Sequence, residues 1–469
     1  MLFNSYTFLF AFLPLVLVGF GLCAGRRAAW PAMLFLIAVS LLFYGWWDWR
    51  FVALLLASLA GNFVAATVLA RLEAPLARRA LLTAGIAANL GVLGYYKYAA
   101  FAVVNFDRLF GVAWPLPQIA LPLAISFFTF EQITYLVDAY RRRLPAHGLL
   151  HYAVFLTFFP RLIAGPIVRP SELLPQLLAP RRPGGPLTAD AGNLATGLFI
   201  FAIGLFKKAV IADPLSLWVA AVFDGDALPP LIDAWGAALA FTLQIYFDFS
   251  GYTDMAVGLG RMFGITLPEN FDSPYQARSI TEFWRRWHIT LSTFLRDYLY
   301  IPLGGNRHGE WRTSLNLLLT MLLGGLWHGA GWTFVLWGGW HGLLLATERQ
   351  GRRRGWSLPG PVAWGLTFAA VVVGLVLFRA PSFERAGLMF AGLAGAGGLA
   401  WDSTPTAFGA HEWKRLLPLL ALVWCAPNRQ TIVAWRWRSD VAYATAFVAL
   451  TLLAVLSLGE PTPFVYFRF

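Results

Sequence analysis

The chain reads as an all-α, polytopic membrane protein, and three observations point there. It is 58% hydrophobic and only 13% charged, about half the charged share usual for soluble globular chains. Its mean hydropathy is +0.61. Its apolar stretches repeatedly approach the roughly 20 residues that a helix needs to cross a bilayer.

Taken in order, those stretches lie near residues 5–24, 30–48, 51–70, 80–99, 119–139, 193–212, 232–249, 314–328, 331–347, 361–379 and 440–458, which predicts about 11 transmembrane helices. Shorter or broken runs near 149–164, 383–400 and 416–427 leave re-entrant or interfacial helices open. The formal net charge of +12 raises the question of nucleic acid, but the basic residues form no stripe on a soluble domain. They cluster between spans, as Arg26-Arg27, Arg78-Arg79, Arg141 to Arg143, Arg181-Arg182 and Arg352 to Arg354. That is the positive-inside pattern of a lipid-embedded chain. With the N-terminus periplasmic, every cluster falls on the cytoplasmic side provided that 149–164 does not cross fully. The expectation is a multi-pass protein of the bacterial inner membrane with no nucleic-acid partner.

The first charges, Arg26 and Arg27, follow the first apolar run instead of preceding it, so that run is expected to be retained and not cleaved as a signal peptide. Cys23 and Cys425 are far apart and beside apolar stretches, which suggests packing residues and neither a disulfide framework nor a metal motif. No linker marks off a soluble domain, so residues 1–469 are expected to form a single membrane domain, with 281–347 as its catalytic-core region. Frequent Gly and Pro suit membrane helices broken around a cavity. The absence of a recognisable internal repeat counts against an inverted-repeat transporter.

One region departs from the hydropathy pattern. "SPYQARSITEFWRRWHITLSTFLRDYLYIPLGGNRHGEW" (273–311) is aromatic-rich yet carries Glu282, Arg285, Arg286, Arg296 and Asp297. A lipid-facing span is a poor fit. Ser279 and Glu282 match a capping box, Glu282 and Arg286 have the spacing of a helical ion pair, and Gly304-Gly305 offers a stop. A re-entrant or interfacial helix buried in protein is the expectation.

Polar groups inside apolar helices are costly and tend to mark function. The run "LLTMLLGGLWHGAGWTFVLWGGWHG" (318–342) carries His328 and, thirteen positions on, His341. On one continuous helix those rings would stand about 20 Å and 220° apart; a break at Gly329-Ala330-Gly331 would change that. His288 lies in "RRWHITLS", and Asp248, Ser250 and Asp254 lie in "QIYFDFSGYTDMAVG". Each has a structural alternative. The histidines can serve as hydrogen-bond partners to neighbouring helices, His288 as an interfacial anchor, and the aspartates as caps or ion-pair partners of Arg285 or Arg286. Nearby tryptophans read first as belt and packing residues. The functional reading is that an imidazole in an apolar tunnel stays neutral, because desolvation disfavours its charged form. It can then take a proton from a hydroxyl attacking an acyl carbonyl.

At this point long motifs become recognisable. They include "MLFNSYTFLFAFLP", "FFTFEQITYLVDAYR" (127–141), "FFPRLIAGPIVRPSELLPQL" (158–177), "YFDFSGYTDMAVGLG" (246–260), "SITEFWRRWHITLSTFLRDYLYIPLGGNR" (279–307), "LLGGLWHGAGWTFVLWGGWHG" (322–342) and a terminal "PFVYFRF". Nearly end to end, the chain resembles the membrane-bound O-acyltransferase (MBOAT) superfamily, and within it the bacterial membrane subunits of alginate O-acetylation. The resemblance implies a ring of tilted helices around a thin central spot. It implies the hallmark catalytic histidine at His328 and a second polar catalytic position at His288. Asp248, Asp254, Trp327 and His341 match supporting positions, and Arg307 is placed near an anionic donor. It further implies acetyl-CoA as the acyl donor, no bound cofactor or metal, and a separate periplasmic Ser-His-Asp (SGNH-type) acetyltransferase partner that esterifies the polysaccharide acceptor. The tail departs from the family pattern at Arg468, where Gln is common, and Tyr466 there is a candidate docking or acyl-accepting residue.

Three functions remain in competition: acyl transfer with His328 as base, a transporter or channel using Asp248, Asp254 and His328 as a path, and a passive anchor for an exopolysaccharide complex. The family resemblance favours the first.

Overall fold

The computed structural model describes residues 1–24, 28–180, 182–399, 408–428 and 441–459, and among them every regular element is helical. Tyr466, Arg468, Arg26, Arg27 and Arg181 lie outside the described residues. The helices are α1 (Phe8–Ala24), α2 (Trp30–Gly45), α3 (Arg50–Arg71), α4 (Pro75–Phe110), α5 (Ile125–Tyr140), α6 (Leu149–Thr157), α7 (Phe159–Leu162), α8 (Pro170–Leu178), α9 (Ala191–Phe223), α10 (Leu231–Met262), α11 (Ile280–Arg286), α12 (Ile289–Leu295), α13 (Gly309–His328), α14 (Trp332–Arg353), α15 (Gly360–Arg379), α16 (Phe383–Leu393), α17 (Ala410–Cys425) and α18 (Val441–Leu456).

Each of the apolar runs expected to cross overlaps a helix, with bounds set by local chemistry. Among the described residues four helices, α3, α4, α9 and α15, are long and apolar enough to cross a membrane; α1, α2 and α18 are shorter apolar helices. The 119–139 run becomes helical only at Ile125, because Pro115, Pro117 and Pro122 cannot supply helical N–H donors. The 232–249 run instead continues to Met262, through the polar "FSGYTD" segment. The doubtful 149–164 run splits into helices of nine and four residues, broken at Phe158 ahead of Pro160. Neither approaches the length of a span. Cys23 is half-buried and Cys425 exposed, so Cys425 is not the packing residue that its apolar neighbours suggest.

The chain divides into two compact units: Met1–Ala202 with Tyr252–Pro268, and Ile203–Gly251 with Glu269–Phe469. The first is organised around a cluster of rings, Phe3, Phe8, Phe43 and Phe159. It also holds two buried polar pairings: the amides of Asn62 and Asn89 between α3 and α4, and the Arg161–Glu131 ion pair. Buried polar groups of this kind persist in an apolar interior only when they satisfy one another.

The second unit contains His288, His328 and His341. Its centre is the hairpin of α13 and α14. The chain leaves α13 at His328, passes Gly329 and Gly331 in extended geometry (φ −155° and −159°), and re-enters a helix at Trp332. The two helices approach so closely that a Cβ at Gly338 would collide with the Met321 carbonyl and sit 3.2 Å from Gly325 Cα. Small residues at such a crossing let backbones meet without a side chain between them.

Candidate functional site

The 273–311 region is built as expected at its start and differently in its middle. Ser279 Oγ accepts the Glu282 N–H at 3.0 Å, Glu282 pairs with Arg286 at 2.8 Å, and Gly304 and Gly305 end the segment with positive φ. Yet it is not one helix. Residue His288 adopts φ 42°, ψ 54°, a left-handed conformation that is uncommon for a side chain of this size. The kink separates α11 from α12 and turns the imidazole inward, where it is wholly buried.

The His288 ring is held from one edge. Its Nδ1 lies 3.0 Å from Asn270 Oδ1, and that oxygen also accepts the Thr290 N–H at 3.3 Å and the Thr290 hydroxyl at 2.9 Å. Those two donors identify the Asn270 atom as the carbonyl oxygen, so the His288 proton belongs on Nδ1. Nε2 is left as a lone-pair acceptor with no hydrogen-bond partner among the described residues. Which ring nitrogen carries the proton is set by the bond the other makes, and here that bond selects a base at Nε2.

His328 stands at the last position of α13, 4% exposed. Its ring is surrounded by Trp327 at 4.9 Å, Trp337 at 5.0 Å and Phe378 at 5.4 Å between centroids. Trp327 also faces His288 at 6.2 Å, so one indole brings together the two histidines that the sequence placed forty positions apart. His341 is drawn in too. The break at Gly329–Gly331 folds α14 back, and Trp337 contacts His341 at 5.1 Å as well as His328. The Trp284 indole N–H donates to His341 Nδ1 at 3.2 Å.

Rings of this cluster line two cavities of the same unit. One, of about 590 Å³, is lined by Trp284, Arg285, Arg296, Tyr300, Arg349 and Arg352, among others. The other, of about 330 Å³, is lined by Gln244, Ala330, Gly331, Thr333, Phe378 and Arg379, among others. His328 lines neither. Phe378, in ring contact with His328, lines the smaller cavity, and Trp284, linked to His328 through Trp337, lines the larger.

In the larger cavity most guanidinium groups are already engaged. Arg349 donates to both Glu310 oxygens at 3.1 and 3.2 Å, which holds the Glu310 carboxyl below the ordinary range. Arg352 pairs with Glu348 and Arg296 with Asp297. Arg285 has no such partner among the described residues. Arg307, expected near an anionic donor, is exposed in the turn that follows, and its neighbour Asn306 lines the cavity instead.

Asp248 is buried in an ion pair. Lys208 Nζ lies 2.6 Å from Asp248 and 2.7 Å from Asp213. The partner is thus a lysine of α9, and not the arginines of α11. Asp254 is also buried, further along α10, in the segment that belongs to the first unit. Sequence reasoning missed Lys208, although Lys207-Lys208 interrupting an apolar run was a visible signal. Asn270, in "PENFDSP", gave none.

A model of the MBOAT, membrane-bound O-acyltransferase family, matches residues 116–365, which include the lining of the larger cavity. The chain is 41% identical over 431 residues to the peptidoglycan O-acetyltransferase of Helicobacter pylori, covering 85% of this chain and 81% of that protein. It is 45% identical over 399 residues to the probable alginate O-acetylase AlgI of Pseudomonas aeruginosa, covering 83% and 74%. A more distant similarity, 28% over 292 residues covering 56% and 70%, links it to the teichoic acid D-alanyltransferase of Bacillus subtilis. With a buried histidine pair around one tryptophan, two flanking cavities and relatives of this closeness, the chain belongs to the membrane-bound O-acyltransferase family.

Proposed function

We propose that the protein passes an acetyl group from a cytoplasmic thioester, acetyl-CoA, across the inner membrane for O-acetylation of an exported or cell-wall polysaccharide, with an alginate-like polymer the leading acceptor. The observation that carries this reading is the ring cluster holding His328, which reaches a cationic cavity through Trp337 and Trp284 and a largely neutral one through Phe378. The Arg352–Arg354 cluster ends α14 beside the cationic cavity. By the positive-inside rule that side is cytoplasmic, which makes the N-terminus periplasmic and is consistent with about 11 spans. A donor rich in phosphate suits the arginine-lined side, since guanidinium groups bind such oxygens with charge-assisted hydrogen bonds.

In the reaction, an acceptor hydroxyl oxygen attacks the thioester carbonyl carbon and gives its proton to the His328 imidazole. The carbon–sulfur bond breaks, its electron pair stays on sulfur, and the thiolate recovers a proton from His328. His288, with Nε2 kept unprotonated by Asn270, orients and accepts at the same site. An apolar, ring-lined surrounding favours the neutral imidazole that this role needs. A separate periplasmic partner of the Ser-His-Asp (SGNH) type then carries the acetyl group to the polymer.

The transport reading fits less well, because Asp248, its principal acid, is already held in an ion pair with Lys208. Proteoliposomes containing the purified protein separate the two. Consumption of labelled acetyl-CoA with transfer of label to an acceptor is expected, and gradient-driven solute uptake without acyl donor would overturn the reading.

A further inference from the structure

The smaller cavity carries a binding site that the proposed reaction leaves unassigned. We infer that it seats the acyl acceptor as a neutral, hydroxyl-bearing group, and that Gln244 binds that group. The inference rests on the acyl-transfer reading and extends it to the acceptor side.

Gln244 lies on α10 and is buried, and its Oε1 has no hydrogen-bond partner among the described residues. Leaving a buried amide oxygen unpaired is costly, and native proteins rarely tolerate it without purpose. This one lines a cavity of about 330 Å³, a size in the range of small-ligand sites. Across the cavity is the first turn of α14, represented by Gly331, Thr333 and Phe334. No side chain caps that helix start. Thr333 therefore adds a hydroxyl and a first-turn backbone N–H of the kind that has no partner inside its own helix.

The charge of the cavity selects the ligand class. Its one guanidinium, Arg379, donates to Asp224 at 2.7 Å and lies over the Phe223 ring at 5.4 Å. That cation is already neutralised, so the site offers hydrogen bonds without net attraction for a carboxylate or phosphate. A hydroxyl-bearing group satisfies Gln244 Oε1 by donating to it and can accept from Thr333. The location suits the chemistry, because Phe378 lines this cavity and is also in ring contact with His328. No bond is made or broken at Gln244; it holds the acceptor in register while the proton moves to His328.

The test uses full-length protein in its native membrane. In Gln244→Met the side chain keeps its length and loses its hydrogen bond, while Gln244→Glu keeps an oxygen of the same reach. Two quantities are measured: the alkali-labile acetyl content of surface polymer, and the affinity of the purified protein for acetyl-CoA. Gln244→Met is expected to lower acetyl transfer at least tenfold with acetyl-CoA affinity unchanged within twofold, and Gln244→Glu to recover at least threefold of that loss. In a background of Cys23→Ala and Cys425→Ala, modification of Thr333→Cys by a membrane-impermeant methanethiosulfonate is expected to block transfer. The inference is overturned if Gln244→Met transfers at half the normal rate or better, if it weakens acetyl-CoA binding as much as transfer, or if the reagent leaves Thr333→Cys active. Loss of activity in His328→Ala alongside normal activity in Gln244→Met sinks this inference alone; retained activity in His328→Ala sinks the acyl-transfer reading beneath it.

Discussion

Asn270 Oδ1 and His288 Nδ1 lie 3.0 Å apart, and this contact decides what His288 can do. The same oxygen takes both donors of Thr290, so the amide cannot turn over without losing them. Substituting Asn270→Leu should lower acyl transfer more than tenfold, in line with the loss typical for a residue that orients a catalytic base. Asn270→Asp keeps an acceptor oxygen and should retain most activity. Equal loss in both variants at normal protein level would show that the contact does not govern His288.

Arg285 is the guanidinium lining the larger cavity that pairs with no carboxylate among the described residues. Arg285→Ala should raise the KM for acetyl-CoA about tenfold while leaving kcat near its normal value, as expected for a charge-assisted hydrogen bond to the bound donor. Steady-state kinetics on reconstituted protein measure both constants. A fall in kcat with unchanged KM would place Arg285 elsewhere in the cycle.

Lys208 is buried between Asp248 and Asp213. Removing its charge leaves the buried Asp248 carboxylate without its cation, and breaking such a pair from one side costs about 3–5 kcal/mol. Lys208→Ala should therefore lower the unfolding temperature in detergent by many degrees. A Lys208→Ala protein as stable as its parent would mean that this ion pair does not support the fold.

How much of this was legible in the sequence follows from what each feature depends on. The helices were, because span length and apolar composition are local properties. The Ser279 cap and the Glu282–Arg286 pair were too, since both lie within one turn. Placement of His328 and His288 at one site came from motif resemblance; nothing in their spacing implied that Trp327 would bring them together. The His288 kink was invisible, because a left-handed residue inside an apparently continuous amphipathic pattern is imposed by the tertiary contacts of Asn270 and Thr290. Arg307 is exposed after a turn of two positive-φ glycines, whereas the cations that line the larger cavity come from helix faces brought together in space.

Gly338 tests the hairpin that positions the histidines. Its hydrogen atom faces the Met321 carbonyl, and a methyl group there meets backbone that cannot yield. Gly338→Ala should reduce the amount of folded protein in the membrane severely, whereas Gly365→Ala, which meets nothing within 4 Å, should not. Fluorescence-detected size-exclusion profiles compare the two directly. Equal profiles would mean that the α13–α14 crossing is looser than described.

The central claim is that His328 takes the acceptor's proton. Its direct measurement is polymer acetylation by membranes carrying His328→Ala, with protein level and acetyl-CoA binding determined in the same preparation. The account predicts that acetylation disappears while the protein remains inserted and still binds donor. Acetylation at the normal rate in those membranes would contradict it.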